Sequence, residues 1–182
     1  MHYVESEKLK KQEESISVKD SFSWIMKDPF IFDYFNKTFN KDSKILEIGS
    51  WRGYFLDRLD SLGFKNLYAV DLSNYLKNKK HKHQSLDINV EKLNFKEEEL
   101  DVIAAFQIIE HLENYFLIAQ EASRTLKKGG MFIFSIPNQF NIFYRIKFAL
   151  TGNMSGWTKD NNHLLFLTRD VFKKTYLKDF KS

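Results

Sequence analysis

The residues with the clearest capacity for chemistry lie in one short stretch, Glu47-Ile48-Gly49-Ser50-Trp51-Arg52-Gly53, and in Asp71, 24 positions after Glu47. The stretch follows an apolar run, Lys44 to Ile48, and precedes a helical spacing of Phe55, Leu56, Leu59 and Leu62. It reads as the turn from a first strand into a helix. Gly49 permits the sharp turn, and Gly53 lets a ligand or strand approach the backbone at the helix start. Asp71 closes a second strand, Asn66 to Val70, where one carboxylate can accept hydrogen bonds from both hydroxyls of a ribose. The dinucleotide fingerprint G-x-G-x-x-G is absent, because Trp51 and Tyr54 occupy its second and third glycine positions. There is no phosphate-cradling lysine loop either. The turn favours a nucleoside ligand without a pyrophosphate.

The elements that must position these residues alternate between strand and helix. After the two strands come a short helix over Leu72 to Lys79, a weak third strand over Gln84 to Ile88 and a fourth over Asp101 to Ala105. A helix over Glu113 to Leu126 is expected to stop at Lys127-Lys128-Gly129-Gly130, a lysine-then-glycine ending suited to a helix C-terminus. A fifth strand, Met131 to Ile136, is broken by Pro137, and a last helix runs from Arg169 to Lys178. Ahead of them, residues 1–20 read as a frayed extension or exposed helix. Asp28-Pro29 opens an aromatic helix, with Asp as N-cap and Pro in the first turn. The fold class is therefore α/β, a Rossmann-like parallel sheet with helices on both faces. The division is an N-terminal extension and aromatic helix over 1–40 and a ligand-binding domain over 41–182. Right-handed crossovers put the carboxyl ends of all strands on one edge, where ligands bind.

The 182 residues suffice for one domain with a proper core. The absence of cysteine excludes a disulfide scaffold, a thiolate metal site and a cysteine nucleophile. The net charge is +4, but only five of the 28 basic residues are Arg. Spread lysine is a solvated surface more often than a nucleic-acid footprint. The cluster Lys77, Lys79, Lys80, His81, Lys82 and His83 contains neither Arg nor an interleaved aromatic, so nucleic acid is not the expected partner. No apolar run spans a bilayer and no secretion signal is visible, so no membrane partner is expected and a cytoplasmic location is the default.

On five ordered stretches the chain resembles the class I S-adenosylmethionine-dependent methyltransferases. These are Ile45-Leu46-Glu47-Ile48-Gly49 through Gly53, Val70-Asp71-Leu72, Leu86-Asp87-Ile88, Leu100-Asp101-Val102-Ile103 through Ile109-Glu110-His111-Leu112, and Leu126 through Asn138. The run His163-Leu164-Leu165-Phe166-Leu167-Thr168 is similar to a segment of the MetW-like and ubiquinone-pathway methyltransferases. The resemblance implies S-adenosyl-L-methionine as cofactor and assigns roles by position. Glu47 would reach the methionine amino group, with Gly49 and the backbone near Gly53 lining that moiety. Asp71, followed by Leu72, would hold the ribose. Asp87 and Ile88 would border the adenine, although Asp87 also reads as a plain turn residue. Phe106 and Gln107 would lie beside the sulfonium. Trp51 replaces the middle glycine of the family's acidic-x-Gly-x-Gly-x-Gly turn. Its indole either faces the sulfonium or points away and packs on the leading aromatic helix.

Methyl transfer leaves a neutral thioether, so the protein mainly aligns donor and acceptor, and a hydroxyl acceptor also needs a base or a metal. Glu110 and His111 are the catalytic candidates. Metal-using relatives carry E-x-x-E-H with a later His at these positions; here Gln107 stands in the first Glu position. Three readings stay open: a metal-free base or orienting group, a divalent-metal set of Glu110, His111 and His163, or a structural cap on the following helix. No metal is assigned beyond that set. Residues 138–161 read as an acceptor-covering insertion, with an amphipathic helix containing Arg145 and Lys147 and a loop from Thr151 to Trp157.

The resembling fold normally ends in a strand hairpin, which is not visible here. Strand five would be an exposed apolar edge, paired with a second copy as a homodimer, covered by the N-terminal segment, or poorly soluble. The expected function is methyl transfer to oxygen of a small-molecule or glycan-precursor acceptor. The alternatives are an inactive methyltransferase-like binding or assembly protein and a metal-assisted RNA-end methyltransferase.

Overall fold

The computed structural model describes residues 28–138, 141–154, 157, 163–164, 168–178 and 180. The expectations for residues 1–20, for parts of the 138–161 insertion and for Leu165 to Leu167 lie outside the described residues. The elements are α1 (Pro29–Thr38), β1 (Lys44–Ile48), α2 (Tyr54–Ser61), β2 (Asn66–Asp71), β3 (Lys82–Ser85) and β4 (Leu100–Phe106). A 3₁₀ turn (Ile109–His111), α3 (Tyr115–Thr125), β5 (Leu126–Ser135), α4 (Ile142–Thr151) and α5 (Arg169–Thr175) follow.

The sheet has the order β3-β2-β1-β4-β5, and every neighbouring pair is parallel. The three central strands are apolar on both faces because helices cover both. One face carries α1 and α2, with Phe32, Phe35, Phe55, Leu56, Leu59, Ile45 and Val102 in a single buried cluster. Asp28 caps α1 by accepting from the Phe30 N–H at 2.9 Å, and Pro29 opens the helix. Phe32 and Phe35, three positions apart, then present one stripe to Phe55, with ring centroids 5.6 and 5.3 Å from it. The opposite face carries α3 and the C-terminal helix, packed through Ile118, Ala119, Ala122 and Tyr176 onto Leu46, Ile48 and Ile103.

Three elements depart from expectation. Residues 72–79 form bends and turns rather than a helix. Side chains take the amides a helix would have used: Asn74 accepts from the Leu76 N–H, and Asn78 accepts from the Lys80 N–H. The third strand sits earlier, at Lys82–Ser85, in register with Tyr68 to Asp71 of β2. Finally, Lys127 to Gly130 does not end a helix. α3 stops at Thr125 and the chain turns directly into β5. Leu100 pairs with Leu126 but Val102 pairs with Met131, so Lys127–Gly130 bulges out opposite Asp101. Gly129, at φ +79°, supplies the bend, and Lys127 Nζ reaches the Asp101 carboxylate at 2.7 Å. The lysine answers a charge on β4 rather than a helix terminus. β5 is the outer strand of the described sheet, with β4 its one neighbour there.

Candidate active site at the carboxyl edge

The turn after β1 is built on backbone conformations that side chains resist. Gly49, Trp51 and Gly53 have φ of +72°, +42° and +76°. A Cβ on Gly49 would stand 2.9 Å from Ile108 Cγ1, and one on Gly53 2.6 Å from Leu76 Cδ2. Both glycines are thus demanded twice, by backbone angle and by close approach. Ile108 links the two halves of the site, since it packs on the β1 turn and immediately precedes Ile109–His111.

Asp71 organises this turn. Its Oδ2 accepts from the Trp51 N–H at 2.7 Å and its Oδ1 from the Leu72 N–H at 2.8 Å. Burial pushes its carboxyl up to about 6, with those two amide bonds pulling the other way. Each oxygen keeps a second lone pair for a ligand hydroxyl. Glu47 is also buried, and its Oε2 has no hydrogen-bond partner among the described residues. Burial first, then the neighbouring charges of Asp71 and Asp57, raise it well above the usual carboxylate range. A buried, unpaired carboxylate oxygen beside two more acidic groups is a place for a cationic donor such as an ammonium. Ser50, also buried, has an unpartnered Oγ at the same turn; sequence reasoning passed it over.

Trp51 does not pack on α1 among the described contacts. Its indole lies under the Arg52 guanidinium, 4.6 Å to the centroid, and 6.1 Å from the Tyr54 ring. Asp87 heads a turn: its Oδ1 accepts from the Asn89 N–H at 2.9 Å, and its carbonyl accepts from Val90 and Glu91. Ile88 packs against the core beside that turn. Phe106 sets its ring edge-on against Phe55 at 4.9 Å, on the α2 face. Gln107 has φ +53° and donates from Nε2 to Ser135 Oγ at 3.1 Å, which ties the ends of β4 and β5 together.

The second cluster lies just beyond β4. Glu110 is 1% exposed, and neither of its carboxylate oxygens has a side-chain or neighbouring-residue partner among the described residues. Burial pushes it up to about 7, opposed by its own backbone N–H. The Glu110 carbonyl accepts from the Leu164 N–H at 2.7 Å, which brings His163 onto His111 with ring centroids 4.7 Å apart. Trp157 stands edge-on to His163 at 5.4 Å. Ligand atoms of Glu110, His111 and His163 all fall within 4.8 Å of one another. Residues 53 positions apart in the chain are thus joined. α3 has its own cap, Asn114 accepting from the Leu117 N–H, so Glu110 and His111 are not spent on that task.

Residues 46–134 match the family described as "Methyltransferase domain". A probable S-adenosylmethionine-dependent methyltransferase of Mycobacterium tuberculosis is 26% identical over 99 residues, 52% of this chain and 36% of that one. An uncharacterized protein of Methanocaldococcus jannaschii is 28% identical over 157 residues, 84% of this chain and 61% of that one. The chain therefore spans about a third of one relative and under two thirds of the other. In fold it is similar to a SAM-dependent methyltransferase from Archaeoglobus fulgidus, at TM-score 0.61 and 17% identity, covering 83% of this chain and 67% of that one. Over residues 46–134 the chain is thus similar to the S-adenosylmethionine-dependent methyltransferases. The cofactor of that family is S-adenosylmethionine, and the residues present fit it: an orphaned buried Glu47 oxygen and spare acceptor capacity on Asp71, both at the turn after β1.

Proposed function

We propose that this chain transfers the methyl group of S-adenosylmethionine to an oxygen of a small-molecule or glycan-precursor acceptor in the cytoplasm. The bound cofactor supplies an electrophilic methyl carbon on a sulfonium. Glu47 holds its ammonium group, Gly49 and Gly53 line the methionine moiety, and Asp71, anchored by the Trp51 and Leu72 amides, holds the ribose. Asp87 and Ile88 border the adenine, and Phe106 and Gln107 stand beside the sulfonium. Glu110 is the proton acceptor for the acceptor hydroxyl, with His111 orienting it. Residues 138–161 cover the acceptor. One observation carries this reading: a buried, unpartnered carboxyl held near neutrality at the same sheet edge as the cofactor turn.

Calorimetry with S-adenosylmethionine tests it. The wild-type chain is expected to bind, and Asp71→Ala to weaken binding by about a hundredfold, the scale of losing two charge-assisted hydrogen bonds. No heat from the folded wild-type chain, or equal affinity in the variant, overturns the cofactor assignment and leaves a methyltransferase-like binding protein.

A second reading has its own observation. Glu110, His111 and His163 converge, yet bonds of about 2.1 Å to a divalent ion need ligand atoms within roughly 4.2 Å of each other. The 4.8 Å span must therefore close by about half an ångström. Turnover abolished by a chelator and restored by a divalent cation supports this set; turnover indifferent to the chelator refutes it. Pairing of β5 with a second copy accompanies either reading, and light scattering on the purified chain distinguishes dimer from monomer.

A further inference from the structure

The helix α4 (Ile142–Thr151) buries none of its residues. Ile142, Phe143, Ile146, Phe148 and Leu150 are all more than half exposed, with Phe143 at 74% and Leu150 at 80%. At about 3.6 residues per turn, Ile142, Phe143, Ile146, Ala149 and Leu150 fall on one face, roughly a third of the circumference wide. Arg145 and Lys147, both exposed, flank that face on its two sides. No acidic residue occurs between Glu121 and Asp160, a gap of 38 residues in a chain holding 24 acidic residues. A lone soluble protein seldom exposes so continuous an apolar face.

We propose that α4 docks on an anionic lipid surface. The argument is charge complementarity added to the apolar face. Long cationic side chains on both flanks of an apolar stripe can reach the headgroups while the stripe enters the acyl boundary. The missing acidic residues remove the repulsion that an anionic surface would otherwise meet. No helix among the described residues is long and apolar enough to cross a membrane. With ten residues, α4 is about 15 Å long, half the hydrocarbon thickness, so it lies along the surface.

α4 follows the carboxyl end of β5, the edge that also carries Asp71, Gln107 and Glu110. The docked protein therefore turns that edge toward the lipid. The docking itself does not depend on methyl transfer. If the methyl-transfer reading also holds, the acceptor is an amphiphile whose hydroxyl-bearing head projects from an anionic bilayer.

Co-sedimentation of the full chain with vesicles tests the docking without any methyl donor present. Vesicles of phosphatidylcholine mixed with phosphatidylglycerol are expected to pellet the protein, and pure phosphatidylcholine vesicles to pellet much less of it. The double variant Arg145→Gln/Lys147→Gln should lose roughly thirtyfold in affinity for the anionic vesicles, and Phe143→Ser/Ile146→Ser at least tenfold. Both variants should keep the wild-type melting temperature, because no residue changed is part of the core. A wild-type chain that ignores anionic vesicles, or variants that bind them as well as wild type, overturns the proposal. So does a wild-type dimer that Phe143→Ser/Ile146→Ser disperses, since a second copy would then cover the face.

Discussion

The cofactor half and the acceptor half of the sheet edge are built on different terms. Around β1 and β2, Gly49 and Gly53 are held by positive φ and close packing and Asp71 by two amides, which leaves the buried Glu47 Oε2 as the open acceptor. Beyond β4 and β5, Glu110 is buried without such ties, and α4 stands clear of the core. On the proposed reading, the first half is the one that must hold a large ligand at many points. The second presents reactive and apolar groups that only an incoming molecule satisfies. That division suits a preorganised site for the proposed cofactor and an adaptable one for the proposed acceptor.

The largest expected effect tests that contrast through stability. Phe55→Ala, in the buried ring cluster under α2, should cost about 4 kcal/mol, whereas Leu150→Ser on α4 should stay within about 0.5 kcal/mol. Urea denaturation of both variants measures the gap; equal losses would mean that α4 is packed after all.

Next comes a pH effect at Asp71. Its folded value of about 6 lies above the ordinary 3.8, so its favourable contribution is complete below about 4 and is lost as pH rises through 6. Relative to wild type, ligand-free Asp71→Asn should therefore gain up to about 3 kcal/mol between pH 4 and pH 7. Parallel urea titrations at the two pH values read this difference, and a pH-independent difference would remove the buried-carboxylate account.

On the acceptor side, Glu110→Gln should lower turnover about a hundredfold with S-adenosylmethionine affinity unchanged. Because the Glu110 carboxyl sits near 7, wild-type kcat/KM should rise with pH through about 7, and that limb should vanish in the variant. An acceptor found by screening hydroxylated compounds against labelled donor makes the measurement possible; a profile unchanged by the substitution would take Glu110 out of the proton transfer.

The smallest effect concerns Trp51. Its φ of +42° carries strain that glycine lacks, roughly offset by glycine's greater flexibility when unfolded. Trp51→Gly should change stability by less than about 1 kcal/mol. A larger loss would show that the contacts of Trp51 with Arg52 and Tyr54 hold the turn together.

Much of the cofactor half was legible in the chain itself. The apolar runs at Lys44–Ile48, Asn66–Val70 and Asp101–Ala105 are strands within a residue or two of where they were expected, since a strand buried on both faces must be continuously apolar. Gly49 and Gly53 announced a turn because positive φ is a local demand that few other residues meet. Where local cues misled, a competing partner had taken over, two residues away for Asn74 and Asn78 and 26 residues away for Lys127. Asn74 and Asn78 withheld a helix, and Asp101 drew Lys127 into a bulge.

Sequence alone thus determined most of the alternation of strands and helices and the turn after β1, because these follow from burial pattern and backbone geometry within a few residues, and it put Asp71 and Glu110 forward as candidates. Only the tertiary structure could decide that Ile108 fills the space left by Gly49, that Leu164 brings His163 to Glu110 and His111, and that α4 faces outward. An apolar helix reads the same whether a core covers it or not. Which face is left bare depends on what the rest of the chain brings against it, and no local pattern records that.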